Sequence, residues 1–133
     1  MSSPVVTNKS VMTQNFAMVD GLKTVSEAIE IAMANKVEVL FVNKRHENDE
    51  YGMLLMSDIA SKVVAQDKAA DRVNVYEIMT KPVVFVRPDM DIRYTARLFD
   101  SLGITRSPVI ENQDILGLIT YNDIVFKGML NKS

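Results

Sequence analysis

Ser10-Val11-Met12-Thr13 returns as Glu77-Ile78-Met79-Thr80, and that recurrence decides how the rest of the chain is read. The spacing of 67 residues from Met12 to Met79 holds downstream, where Val19 falls on Val86, Val25 on Ile92 and Val42 on Val109. Beyond Val42 the spacing becomes 65: Gly52-Met53-Leu54 matches Gly117-Leu118-Ile119, and Ser57-Asp58-Ile59 matches Asn122-Asp123-Ile124. The loop after Val42 is therefore two residues longer in the first copy. A duplicated unit of this size cannot bury its apolar face alone. The two copies, 1–68 with its N-terminal segment and 69–133, are expected to pack together.

Composition narrows the possibilities. The chain has 133 residues, 47% hydrophobic and 24% charged, the proportions of a folded globular protein rather than a disordered one. Either half alone is of a size at which a single core is marginal. The net charge of −2 argues against a nucleic-acid binder, which needs a basic stripe to displace counterions. The absence of cysteine removes a disulfide framework, a thiol nucleophile and a thiolate metal site, and it fits a cytoplasmic protein. No apolar run approaches about 18 residues, and Met1-Ser2-Ser3-Pro4 lacks the basic-then-apolar layout of a signal peptide, so no membrane association is expected.

Both copies read as strand, helix, strand, strand, helix, an α+β plan. In the first, Phe16–Val19 is a short strand, and Thr24 with Glu27 three residues on forms a capping box that starts a helix. Val25, Ala28, Ile29, Ala32 and Met33 recur at helical spacing as its buried stripe. Val37–Val42 and Tyr51–Met56 are strands on either side of the charged turn Asn43–Glu50. Ser57-Asp58 opens a helix through about Val64, and Ala65–Asn74 is the connector. In the second copy Pro82 leads into the strand Val83–Val86. Ile92, Thr95, Ala96, Phe99 and Leu102 form the helical stripe, ended by Gly103 as a left-handed cap. Ser107–Ile110 and Ile115–Thr120 pair around Glu111-Asn112-Gln113-Asp114, and Asn122 starts a last helix that turns Ile124, Val125, Met129 and Leu130 inward.

Three segments of the second copy carry a resemblance: Ile78-Met79-Thr80-Lys81-Pro82-Val83, Gly103-Ile104-Thr105-Arg106-Ser107-Pro108-Val109-Ile110, and Gly117-Leu118-Ile119-Thr120-Tyr121-Asn122-Asp123-Ile124. In register they resemble a CBS domain. The first copy is similar to the same family less closely, through Val11-Met12-Thr13 and Gly52-Met53-Leu54-Leu55-Met56-Ser57-Asp58-Ile59. The resemblance runs from about Lys9 to Met129. It implies a tandem pair, often called a Bateman module, related by a pseudo-two-fold axis. In that family such pairs bind adenosine-containing ligands in the clefts between the copies, regulate a partner protein and commonly form disc-like dimers.

An adenine nucleotide needs a carboxylate for both ribose hydroxyls, donors for its phosphate and an apolar slot for the base. The resemblance assigns Asp123 to the ribose and Thr120 to the ribose and phosphate. It places Arg106 at a basic position that contacts phosphate in some relatives, where a planar fork suits two oxygens. Amides around Asn122 add donors at a helix start, and Val84, Ser107 and Pro108 line the base slot. Taken singly the same residues have plainer readings. Asp123 can be a first-turn carboxylate stabilising its helix, Thr120 a strand end and Arg106 a solvated cation. In the first copy Asp58 and Ser57 persist, while Leu55 stands for Thr120 and Val39 for Arg106. Losing a hydroxyl and a guanidinium removes charge-assisted contacts worth about 1.5–3 kcal/mol each, so a weaker second site is expected there.

The expected function is a stand-alone, non-enzymatic regulatory module. It would bind AMP, ADP or ATP, require no cofactor or metal, and signal to an unidentified protein target as a homodimer. S-adenosylmethionine is an alternative ligand, and a structural dimerisation module with empty clefts an alternative role. Against an enzyme stand the missing cysteine, a single histidine, His46, in a charged turn, and the lack of a phosphate-cradling glycine loop or recurring acid pair. Glu47, Asp49 and Glu50 lack calcium-loop spacing. The nine methionines read as adaptable core fillers rather than ligands for a soft metal.

Overall fold

The computed structural model describes residues 5–130. In chain order the elements are α1 (Asn8–Val11), β1 (Ala17–Val19), α2 (Val25–Asn35), β2 (Val39–Val42), β3 (Gly52–Leu55), α3 (Met56–Ile59), α4 (Val75–Ile78), α5 (Ile92–Leu102), β4 (Arg106–Glu111), β5 (Asp114–Thr120) and α6 (Tyr121–Asp123). α3 and α6 each run on into a wider helical turn, Ala60–Val64 and Ile124–Gly128. The mixture of short strands and helices is α+β. No helix among the described residues is long and apolar enough to cross a membrane.

The compact units do not follow the halves 1–68 and 69–133. One is Asn15–Val83; the other joins the chain up to Gln14 to the chain from Val84 onward. Hydrogen bonding is the reason. α1 bonds to the second copy, with Asn8 N donating to Met90 O and Lys9 N to Pro88 O, both at 2.9 Å. α4 bonds to the first, with Val75 N donating to Lys23 O at 2.9 Å and Tyr76 N to Gly21 O at 3.0 Å. Each copy's core is closed by the segment that leads into the other copy.

In the first-copy unit the strand order is β1-β2-β3, with β1 and β2 parallel and β2 and β3 antiparallel. The parallel pair needs a crossover, which α2 supplies. All four residues of β2 are buried, so its sequence shows a continuous apolar run rather than alternation. The capping box forms as read: Glu27 N donates to Thr24 Oγ1 at 3.1 Å and Thr24 N to Glu27 Oε1 at 3.0 Å.

In the second-copy unit β4 and β5 form an antiparallel ribbon closed by Asn112 and Gln113, whose φ angles of 52° and 68° match the strand twist. Asp91 caps the start of α5 and Gly103, at φ 67°, ends it. Phe99, Val109, Ile119 and Val11 are fully buried in this core.

Three expectations change. Val83–Val86 is not a strand; Val86 alone bridges Val109, in parallel. Val86 N donates to Pro108 O and accepts from Ile110 N, but the next rung would need an N–H from Pro108, which has none. Met33 and Leu102 face outward, the first one position round from Ala32 and the second in the last turn of α5. In the last helix Ile124 and Gly128, one turn apart, face the core. Val125, Met129 and Leu130 therefore point away from it, Leu130 with 82% exposure.

Candidate functional site

The second-copy residues converge because β4 begins where β5 ends. Arg106 and Thr120 are register partners across the ribbon, and Thr120 is the last strand residue before α6. Its side chain caps that helix. Asp123 N donates to Thr120 Oγ1 at 3.2 Å, while Thr120 N and Thr120 Oγ1 both donate to Asp123 Oδ2 at 3.0 Å. Asp123 Oδ1 lies 3.4 Å from Lys127 Nζ, which also donates to Val11 O at 3.1 Å. The Asp123 side chain is only 12% exposed. A carboxylate has about four acceptor positions, so Oδ1 keeps capacity beyond this lysine.

The remaining residues fall around that end of the ribbon. Arg106 Nε donates to Thr105 Oγ1 at 3.2 Å. The parallel bridge of Val86 with Val109 carries Val84, itself exposed, to the same end of β4 as Arg106 and Ser107. Asn122 is exposed on the first helical turn. Ser107 is fully buried, its Oγ donating to Pro108 O at 2.8 Å, and Pro108 is buried beside it. The hydroxyl of Ser107 is thus turned back on its own chain.

The first copy repeats the scaffold without two of its polar groups. Val39 pairs with Leu55 where Arg106 pairs with Thr120. Asp58 Oδ2 accepts from Leu55 N at 2.9 Å, and Asp58 Oδ1 lies 3.7 Å from Lys62 Nζ, which donates to Ile78 O at 3.0 Å. Ser57 is exposed on the first turn. Lys127 and Lys62 were not singled out in the sequence. Their signal was the aspartate-to-lysine spacing of four, which puts both groups on one helix face.

A separate recess of about 400 Å³ in the first-copy unit lies at the other end of β2, lined by Asp20, Leu22, Val42, Arg45, Tyr76 and Lys81 among others. Beside it Lys81, at 2.8 Å, holds the Asp49 carboxyl well below the usual carboxylate range, helped by the Arg45 backbone N–H. His46 stands exposed in the same loop. Among the described residues no group of three or more His, Cys, Asp or Glu is placed to hold a metal ion.

A family model described as CBS domain matches residues 75–129. The hexameric CBS-CP12 protein from bloom-forming cyanobacteria is 41% identical, with a TM-score of 0.87 over 92% of this chain and 71% of that one. The chain belongs to the CBS domain family. A CBS domain pair solved in complex with 5′-methylthioadenosine and S-adenosyl-L-methionine shares the fold at 23% identity, with a TM-score of 0.79 over 95% of this chain and 99% of that one. An uncharacterized protein of Methanopyrus kandleri is 33% identical over 103 residues, 74% of this chain and 52% of the relative. The chain thus spans about half the length of that archaeal relative. In this CBS pair the two aspartates hold the same backbone, and the difference between the motifs lies at the strand residues that precede them.

Proposed function

We propose that this CBS pair is a regulatory module that binds an adenine nucleotide at the second-copy site, with Asp123 accepting from the ribose hydroxyls. Thr120 and Arg106 serve the phosphate, amides at Asn122 assist, and Val84 with Pro108 contributes the apolar wall for the base. Ser107 contributes packing rather than a donor, because its hydroxyl is spent on Pro108 O. The observation that carries this reading is the register of Arg106 with Thr120 directly ahead of a nearly enclosed carboxylate, against Val39 with Leu55 in the first copy. The first-copy site at Asp58 and Ser57 is the weaker one.

The bound state acts by population shift: whichever arrangement of the protein the ligand binds more tightly becomes the commoner, and a target protein reads the difference. The apolar groups exposed on the last helix, Val125, Phe126, Met129 and Leu130, form the contact of a homodimer. Calorimetry with AMP, ADP, ATP and S-adenosylmethionine tests the ligand. Saturable binding of a nucleotide supports the reading; heat from none of them leaves a dimerisation module. S-adenosylmethionine is the second reading, because a solved CBS domain pair of this fold was captured with S-adenosyl-L-methionine and 5′-methylthioadenosine.

A further inference from the structure

The segments that open the two copies dock with the same bonds. In the second-copy unit Asn8 N and Lys9 N reach Met90 O and Pro88 O, Thr13 and Leu118 exchange two backbone bonds of 2.8 and 2.9 Å, and Lys127 Nζ meets Val11 O. In the first-copy unit Val75 N and Tyr76 N reach Lys23 O and Gly21 O, Thr80 and Met53 exchange two bonds of 2.9 Å, and Lys62 Nζ meets Ile78 O. Glycine completes each socket. A Cβ on Gly117 would stand 2.7 Å from Met12 Sδ, and one on Gly52 2.7 Å from Met79 Sδ. Backbone bonding and close approach therefore do not tell the segment 7–13 from the segment 74–80.

At the surface Asn74 Nδ2 donates to Leu22 O at 2.9 Å, where the register places Thr7 in the other segment; in the interior one buried pair tells them apart. Asn8 and Thr95 are both 0% exposed. Thr95 Oγ1 donates to Asn8 Oδ1 at 2.6 Å, and Asn8 Nδ2 donates to Arg87 O at 2.8 Å. The 67-residue register puts Val75 and Ala28 at the matching places, also 0% exposed and wholly apolar. We propose that Asn8 with Thr95, against Val75 with Ala28, is a matched address that assigns each opening segment to its own socket.

Exchanged docking is penalised in both sockets. Segment 7–13 in the first-copy socket would set the Asn8 carboxamide oxygen against the Ala28 methyl, closed off from water. Segment 74–80 in the second-copy socket would set Val75 against Thr95, leaving the buried Thr95 hydroxyl only the weakly accepting Met90 Sδ at 3.3 Å and the Arg87 carbonyl only Met90 N at 3.4 Å. Polar groups buried without partners are strongly disfavoured, whereas a fully paired or a fully apolar contact is tolerated. The occupant turned away is thus the other opening segment, from the same chain or from a second copy.

The cysteine-free chain lets engineered cysteine pairs report docking without interference. Thr13→Cys with Leu118→Cys reports the native socket. Thr13→Cys with Met53→Cys reports the exchanged one, since Met53 holds against Thr80 the place that Leu118 holds against Thr13. Thermal unfolding and oxidative cross-linking are run on the full chain. Asn8→Val alone should lower Tm by about 5 °C or more, and adding Thr95→Ala should recover most of the loss. The exchanged cross-link should rise in Asn8→Val/Thr95→Ala, within or between chains. It should fall again when Val75→Asn and Ala28→Thr move the address to the other socket. The proposal is overturned if the double variant fails to recover Tm, or if its exchanged cross-link is no more abundant than with the native address.

Discussion

Replacing Asp123 and Asp58 separately by alanine distinguishes what these carboxylates do for the fold from what one of them does for a ligand. Asp123 accepts from Thr120 N and Oγ1 at 3.0 Å and pairs with Lys127 at 3.4 Å. Asp58 accepts from Leu55 N at 2.9 Å and pairs with Lys62 at 3.7 Å. Losing the carboxylate half of a helix cap costs about 1 kcal/mol. Each ion pair involves a half-exposed lysine and adds under about 1 kcal/mol. Asp123 forfeits in addition the hydroxyl bond, about 0.5–1.5 kcal/mol. Urea unfolding should therefore show Asp58→Ala down by about 1–2 kcal/mol and Asp123→Ala by roughly one hydrogen bond more. Calorimetry with AMP should divide them differently, since Asp123→Ala removes the proposed ribose acceptor while Asp58→Ala should leave affinity within a few-fold. A greater loss of affinity in Asp58→Ala would refute the assignment of the working site.

Arg106→Ala should weaken AMP and ATP but spare adenosine, since only a phosphate loses its partner; equal weakening of adenosine in calorimetry would contradict that role. Gly117→Ala drives a methyl to 2.7 Å from Met12 Sδ and 3.0 Å from Thr13 O, and chemical denaturation should register a loss of about 1–3 kcal/mol, with no loss counting against the close approach. The Asp49 carboxyl titrates below its unfolded value because Lys81 and the Arg45 backbone N–H bind the charged form. Its contribution is full above about pH 4 and is lost as pH falls towards the depressed value. The Tm advantage of the wild type over Asp49→Asn should shrink below about pH 4, and a gap unchanged down to about pH 2 would reject it. Phe126→Glu with Leu130→Glu should give a monomer in sedimentation at micromolar concentration, where the parent chain sediments as a dimer; a parent monomer sinks the dimer.

The sequence alone was enough for everything that local chemistry decides. The repeat of Met12 at Met79 announced two copies, and Thr24 with Glu27 announced a helix start, because a cap needs only neighbours three residues apart. Asn112 in the turn and Gly103 at the left-handed helix end are residues that tolerate positive φ, whereas Gln113, at φ 68°, is held there by the closure of the ribbon. The alignment that set Val39 and Leu55 against Arg106 and Thr120 reappears as strand register, since equivalent positions in equivalent ribbons face each other.

Other features belong to tertiary structure. The helical period drew Met33, Val125 and Met129 into apolar stripes, yet each lies one residue's rotation round from the face the core covers. The strand expected at Val83–Val86 failed for want of one N–H on Pro108, a neighbour in space far along the chain. Lys127 and Lys62 acquired roles only when α1 and α4 delivered carbonyls to them. Above all, the exchange of opening segments between copies could not be read from the repeat. It is made by main-chain hydrogen bonds between residues far apart in the chain, such as Asn8 with Met90 and Val75 with Lys23, and a backbone amide has the same chemistry whichever side chain it carries. Among the described residues the buried pair Asn8 and Thr95, 87 residues apart and sealed from water, records that choice in side chains, and its meaning emerges once the two are seen to touch.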